Sequence, residues 1–144
     1  MTELIEKIEH NGEMIALILR AEFSKPGVTF LTPNELSQQL GYMHHPAGKV
    51  IDAHIHKPIQ RIVAYTQETL IIKRGRLRVD FFDEQQNYLM SRELKAGDVI
   101  LLVKCGHGFE VLEELEMMEV KQGPYAGDQD KTRFLGKIPP VQKT

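Results

Sequence analysis

Two histidines set two apart, His54-Ile55-His56, have the type and spacing to do chemistry in this chain of 144 residues. In an extended strand, side chains at i and i+2 leave the same face, so both imidazoles can reach a single metal ion. The same spacing also describes two solvent-facing histidines, or a packed pair held by hydrogen bonds, and the motif alone leaves all three readings open. Other signatures are missing from the sequence: no Gly-x-Ser-x-Gly elbow, phosphate loop, Gly-x-Gly-x-x-Gly fingerprint or paired-cysteine zinc motif occurs. Cys105 is the single cysteine, which excludes an intramolecular disulfide. Two residues from His107, it is either a soft ligand or, as lone cysteines more often are, an inert small apolar side chain. His44 and His45 precede a Pro-Ala-Gly turn and read as exposed.

Elements that would position such residues are almost all strands. Segments 4–9 and 13–23 flank His10-Asn11-Gly12, and an Asn-Gly pair between apolar runs predicts a hairpin. A short helix capped by Thr2 and ended by Gly12 competes with it. The hairpin is preferred, because Ile15-Ala16-Leu17-Ile18-Leu19 reads as a buried strand that needs a partner alongside. Pro26-Gly27 marks a turn, and Thr32-Pro33-Asn34-Glu35 predicts one helical turn by capping-box spacing. Lys49 to His56 then reads as extended. Leu70 and Ile72 share one face, and after Gly75 so do Leu77, Val79 and Phe81, with Arg76, Arg78 and Asp80 opposite. Two strands with one dry and one wet face, joined at Gly75, predict a second hairpin. Further strands are expected over 88–93, 99–103, 109–112 and 116–121. From Gly123-Pro124 onward the apolar pattern fades into a tail. Many short strands with little helix predict an all-β sandwich or barrel.

Around the histidine pair the spacing becomes more informative. Five residues separate Gly48 from His54, six separate Glu68 from Gly75, Gly97-Asp98 opens a later apolar strand, and His107 follows that strand. Between about Gly48 and Val120 the chain thereby resembles the cupin superfamily, whose two motifs contain these residues in this order. The gap from His56 to Glu68 (residues 57–67) is longer than in the family, and the second motif has Val103 where proline is usual. The resemblance implies a double-stranded β-helix, or jelly-roll barrel, with an N-terminal β-hairpin. It implies one cupin domain over 1–134 with its core at about 39–122, and an extended tail over 135–144. It also implies His54, His56, Glu68 and His107 as ligands of one divalent transition metal: Fe, Mn, Ni, Co or Zn. Glu68 shares a strand face with Leu70 and Ile72 and would point inward; unligated, it is the general base. Glu68 paired at the rim with Arg61 or Lys73, and His107 shaping a glycine-rich turn, are the plainer readings. Arg61, with Tyr65 and Tyr42, is expected at the barrel mouth, holding an anionic or hydroxylated ligand.

Composition fits this picture: 42% apolar and 26% charged residues with a net charge of −2. An ordinary globular domain follows, without the positive field that draws a protein to nucleic acid or an anionic membrane. The acidic N-terminus lacks a signal-peptide core, and no apolar run is long enough to span a bilayer, so a cytoplasmic protein is expected. The segment from Gly123-Pro124-Tyr125 to Phe134 is similar to the C-terminal end of short cupins associated with bacterial surface-polysaccharide and unusual-sugar gene clusters. That resemblance implies a metal-dependent enzyme, an isomerase, epimerase or oxygenase, acting on a small polar or sugar-like molecule. The alternatives are a non-catalytic module that binds a small ligand, and a barrel whose histidines are merely packed. Exposed strand edges lead us to expect a homodimer.

Overall fold

The computed structural model describes residues 3–140. Among these residues there are eight strands and one 3₁₀ turn, Gly127–Asp130, arranged as a curled half-barrel. Strands β1 (Ile5–His10) and β2 (Glu13–Leu19) form the expected hairpin. Asn11 and Gly12 take φ of 52° and 76°, the left-handed pair that a two-residue hairpin turn requires. β2 continues onto β7 (Val99–Leu102), and both strands are covered on both faces. Ile15, Ala16 and Ile18 pack inward with Leu70, Leu77 and Phe81, whereas Leu17 and Leu19 pack outward with Leu31, Leu101 and Val103. This two-sided cover is why the run from Ile15 to Leu19 is uniformly apolar.

The outer cluster is roofed by a second hairpin, β3 (Gly27–Phe30) with β4 (Gly41–His44). Phe23 and Tyr42 meet there edge-to-face, ring centroids 4.8 Å apart. The helical turn expected at Pro33 is instead a simple turn, with Leu36 N donating to Pro33 O at 3.3 Å. Gln39 donates its amide to the carbonyls of Pro33 and Leu36 at 2.9 Å each, satisfying oxygens that a helix would have used.

The hairpin expected about Gly75 is a single 15-residue strand, β5 (Glu68–Phe82). It pairs along its whole length with the 16-residue β8 (Gly106–Lys121), which joins two strands that the sequence pattern separates. Gly75 has φ +96° and lies so close to β8 that a Cβ there would sit 2.1 Å from the Glu114 carbonyl oxygen. Between Ile72 and Leu77 the register slips repeatedly, so Gly75 sits in a bulge and not at a turn. The bulge swaps the alternation, which lets Leu70 and Ile72 share one core with Leu77, Val79 and Phe81. On the edge opposite β8, the first part of β5 pairs with β7 and the last part with β6 (Tyr88–Lys95). β6 and β7 are linked through Gly97 and the fully buried Asp98. The Asp98 carboxylate accepts from Ala21 N and Lys95 N at 2.8 Å and from the Arg20 guanidinium at 3.1 Å, which ties three segments at the bend.

Between β4 and β5 no strand forms. Every residue from 46 to 65 is exposed, and Lys49 to His56, expected as a strand, is an irregular arm. Among the described residues no helix is long and apolar enough to cross a membrane.

Candidate functional site

Curling of the β5/β8 ribbon brings distant residues together. His107, near the start of β8, pairs in register with Phe81, whereas Glu68 opens β5 opposite Lys121. A flat ribbon would hold Glu68 and His107 roughly 40 Å apart at about 3.3 Å per residue. Instead His107 Nε2 lies 3.5 Å from Glu68 Oε2, and Lys121 Nζ lies 3.8 Å from Glu68 Oε1. Glu68 is partly buried, and its carboxyl falls below the usual range because the His107 hydrogen bond favours the anion more than burial opposes it.

Directly opposed residues of an antiparallel pair project from the same face. His107, Phe109 and Val111 therefore stand on the side of the buried Phe81, Val79 and Leu77. Yet Phe109 and Val111 are 40% and 56% exposed, so the concave side is open alongside β8. A cleft of about 760 Å³ wraps this edge. On its far side Arg78 and Asp80, expected to face solvent, are buried as a two-point ion pair, with Arg78 Nε to Asp80 Oδ1 at 2.8 Å and Nη2 to Oδ2 at 3.1 Å. Asp80 holds the Arg78 guanidinium firmly protonated. The third side is the C-terminal segment: Phe134 stacks edge-to-face on Phe82 at 5.1 Å, and Lys131 and Ile138 face the cleft. The last four residues of the expected tail lie outside the described residues.

The four expected metal ligands thus fall into two pairs. Glu68 and His107 meet in the cleft. His54 and His56 keep their rings 5.2 Å apart on the arm, where His54 Nδ1 lies 2.8 Å from Asp52 O, and neither lines the cleft. Among the described residues no three His, Cys, Asp or Glu side chains converge as a metal site. Arg61 stands exposed on the same arm, away from Glu68, whose ionic partners are His107 and Lys121. Cys105 turns the chain into β8 with φ 70° and lines the cleft, and burial raises its thiol pKa. Sequence reasoning missed Arg78, Asp80 and Lys121, because alternation alone assigns charged residues to solvent. Phe134 had one usable signal, an aromatic in a segment where the alternating apolar pattern has faded.

No protein-family model, no curated protein and no solved structure matches the chain.

Proposed function

We propose that the chain is a metal-binding cupin, its curled sheet being part of a jelly-roll barrel, and that the cleft takes a small polar or sugar-like molecule. The observation that supports this most is the meeting of Glu68 with His107, two residues 39 positions apart that the cupin motifs name as ligands. By type, three imidazoles and a carboxylate fit Fe(II), Mn(II), Ni(II), Co(II) or Zn(II). His54, His56, Glu68 and His107 would hold the ion, which when bound supplies a Lewis acid that polarises a carbonyl or hydroxyl.

The chain's own residues do the rest. Lys121 and Lys131 offer ammonium donors to hydroxyl or anionic groups, and Phe82, Phe109 and Phe134 supply apolar faces of the kind a pyranose ring covers. Arg78 is engaged by Asp80 and by Glu110 at 2.5 Å, so it shapes the wall and does not bind substrate. This arrangement supports isomerisation or epimerisation of a small polyol-like substrate.

Elemental mass spectrometry of tag-free protein reloaded with Co(II) or Zn(II) tests the reading. Near one metal per chain is expected in the wild type, with occupancy at least tenfold lower in Glu68→Gln/His107→Ala. Full occupancy in that variant removes the cleft from the metal site.

A further inference from the structure

Each copy carries its chemistry in two halves that do not touch. Glu68 and His107 wait in the cleft with too few donors for a transition metal, whereas His54 and His56 stand on an arm and do not line it. We propose that residues 46–65 are an exchanged arm: in a homodimer each copy lays its arm along the open edge of its partner's β8. His54 and His56 of one copy then complete the Glu68–His107 site of the other. This rests on the metal-binding reading above and specifies which chain supplies which ligands.

Four observations carry it. First, the arm is unpaired in its backbone: beyond the Lys49 N to Pro46 O turn, none of its amides or carbonyls finds a backbone partner among the described residues. Second, it is apolar where it meets only water. Ile55 is 91% exposed and Ile62 wholly so, with Val50, Ile51 and Ile59 above 60%. A chain folding alone does not hold such side chains extended in solvent; a strand seated in another molecule does.

Third, the matching surface exists. Among the described residues β8 pairs with β5 alone, leaving its 16-residue outer edge without a strand partner, and beside it Phe109 and Val111 are uncovered on the concave side. Twenty extended residues reach about 65 Å, enough to follow that edge. Adding a strand would satisfy the hydrogen bonds of both. Fourth, the charges are complementary. The arm carries Lys49, Lys57 and Arg61 against Asp52; of the five glutamates on β8, four pair with Arg74, Arg76 and Arg78 of β5, and Glu119 has no ionic partner among the described residues.

Subunit mixing decides the matter. His54→Ala/His56→Ala and Glu68→Gln/His107→Ala are each purified, then unfolded and refolded together. Native mass spectrometry follows assembly, and elemental mass spectrometry follows Zn(II) or Co(II). Exchange predicts that neither variant alone binds metal. In the mixture, half the molecules are heterodimers with one intact site, which restores about a quarter of wild-type occupancy. A mixture that forms heterodimers yet stays empty overturns the proposal, as does a wild type that binds metal as a monomer; both leave the metal reading standing. If the wild type takes up no metal, the metal reading fails, and the arm is judged by mass alone. Ile51→Ser/Ile55→Ser/Ile59→Ser/Ile62→Ser is expected to be a folded monomer, and a dimer that survives these substitutions overturns the exchange.

Discussion

A single carboxylate does more for this fold than any ion pair on its surface. Asp98 is fully buried and accepts from two backbone amides and one guanidinium, so its charge is matched without water. Replacing it by alanine leaves the Ala21 and Lys95 amides and the Arg20 guanidinium short of an acceptor. Charge-assisted bonds of this kind contribute about 1.5–3 kcal/mol each, and orphaned buried donors add a penalty. Asp98→Ala is therefore expected to lose about 3–5 kcal/mol in urea unfolding, and Asp98→Asn less, since one acceptor oxygen remains. A loss below about 1 kcal/mol would mean that the bend is held by the Ile72–Gly97 and Ile72–Asp98 backbone bonds alone. By contrast, Arg74 and Arg76 of β5 pair with exposed glutamates of β6 and β8, where solvent and salt leave little net stabilisation.

At the scale of elements, two glycines with the same sequence cue do different things. Gly12 ends a hairpin turn with φ +76° and open space around the missing Cβ, whereas Gly75 has φ +96° and backbone of β8 where a Cβ would go. Gly12→Ala meets only the left-handed strain, about 1–2 kcal/mol. Gly75→Ala meets that strain plus a backbone collision that only a parting of β5 from β8 relieves, for a total of about 3–5 kcal/mol. Chemical denaturation of the two variants side by side is expected to give that order, and the reverse order would make Gly75 an ordinary turn glycine. The contrast shows what one sequence can carry. Asn11-Gly12 was legible because hairpin turns are local, and the run Ile15 to Leu19 because continuous apolarity means cover on both faces. The continuity of β5 was not legible, since it depends on a partner some forty residues away in the chain. Glu68 and His107 were reached through motif spacing, whereas the burial of Arg78 and Asp80 arises only once β8 and the tail are in place.

At the scale of the whole molecule, the curl of one sheet builds the cleft and the C-terminal segment finishes it. Residues 131–140 contribute nothing to either apolar cluster, yet Phe134 stacks on Phe82 and presses close to Gly106, where a Cβ would lie 3.1 Å from its ring. The body should therefore fold without this segment, while the cleft should lose a wall. Stopping the chain after Asp130 is expected to keep the far-ultraviolet circular dichroism unchanged. It uncovers the Phe82 ring, worth about 1–2 kcal/mol of apolar burial, and lowers Tm by about 3–8 °C for a domain of this size. Cys105, next to Gly106 and facing the same cleft, is the built-in reporter. Its half-buried thiol reacts only when reagent enters, so labelling by a disulfide reagent under native conditions should quicken about tenfold in the shortened chain, a difference equal to 1.4 kcal/mol in access. The raised thiol pKa is common to both chains as long as Cys105 keeps its seat against the inner core, so a faster rate reports the opened wall. An unchanged rate together with an unchanged Tm would show that the segment does not cover the cleft in solution, and Lys131 and Phe134 would then leave the proposed binding surface.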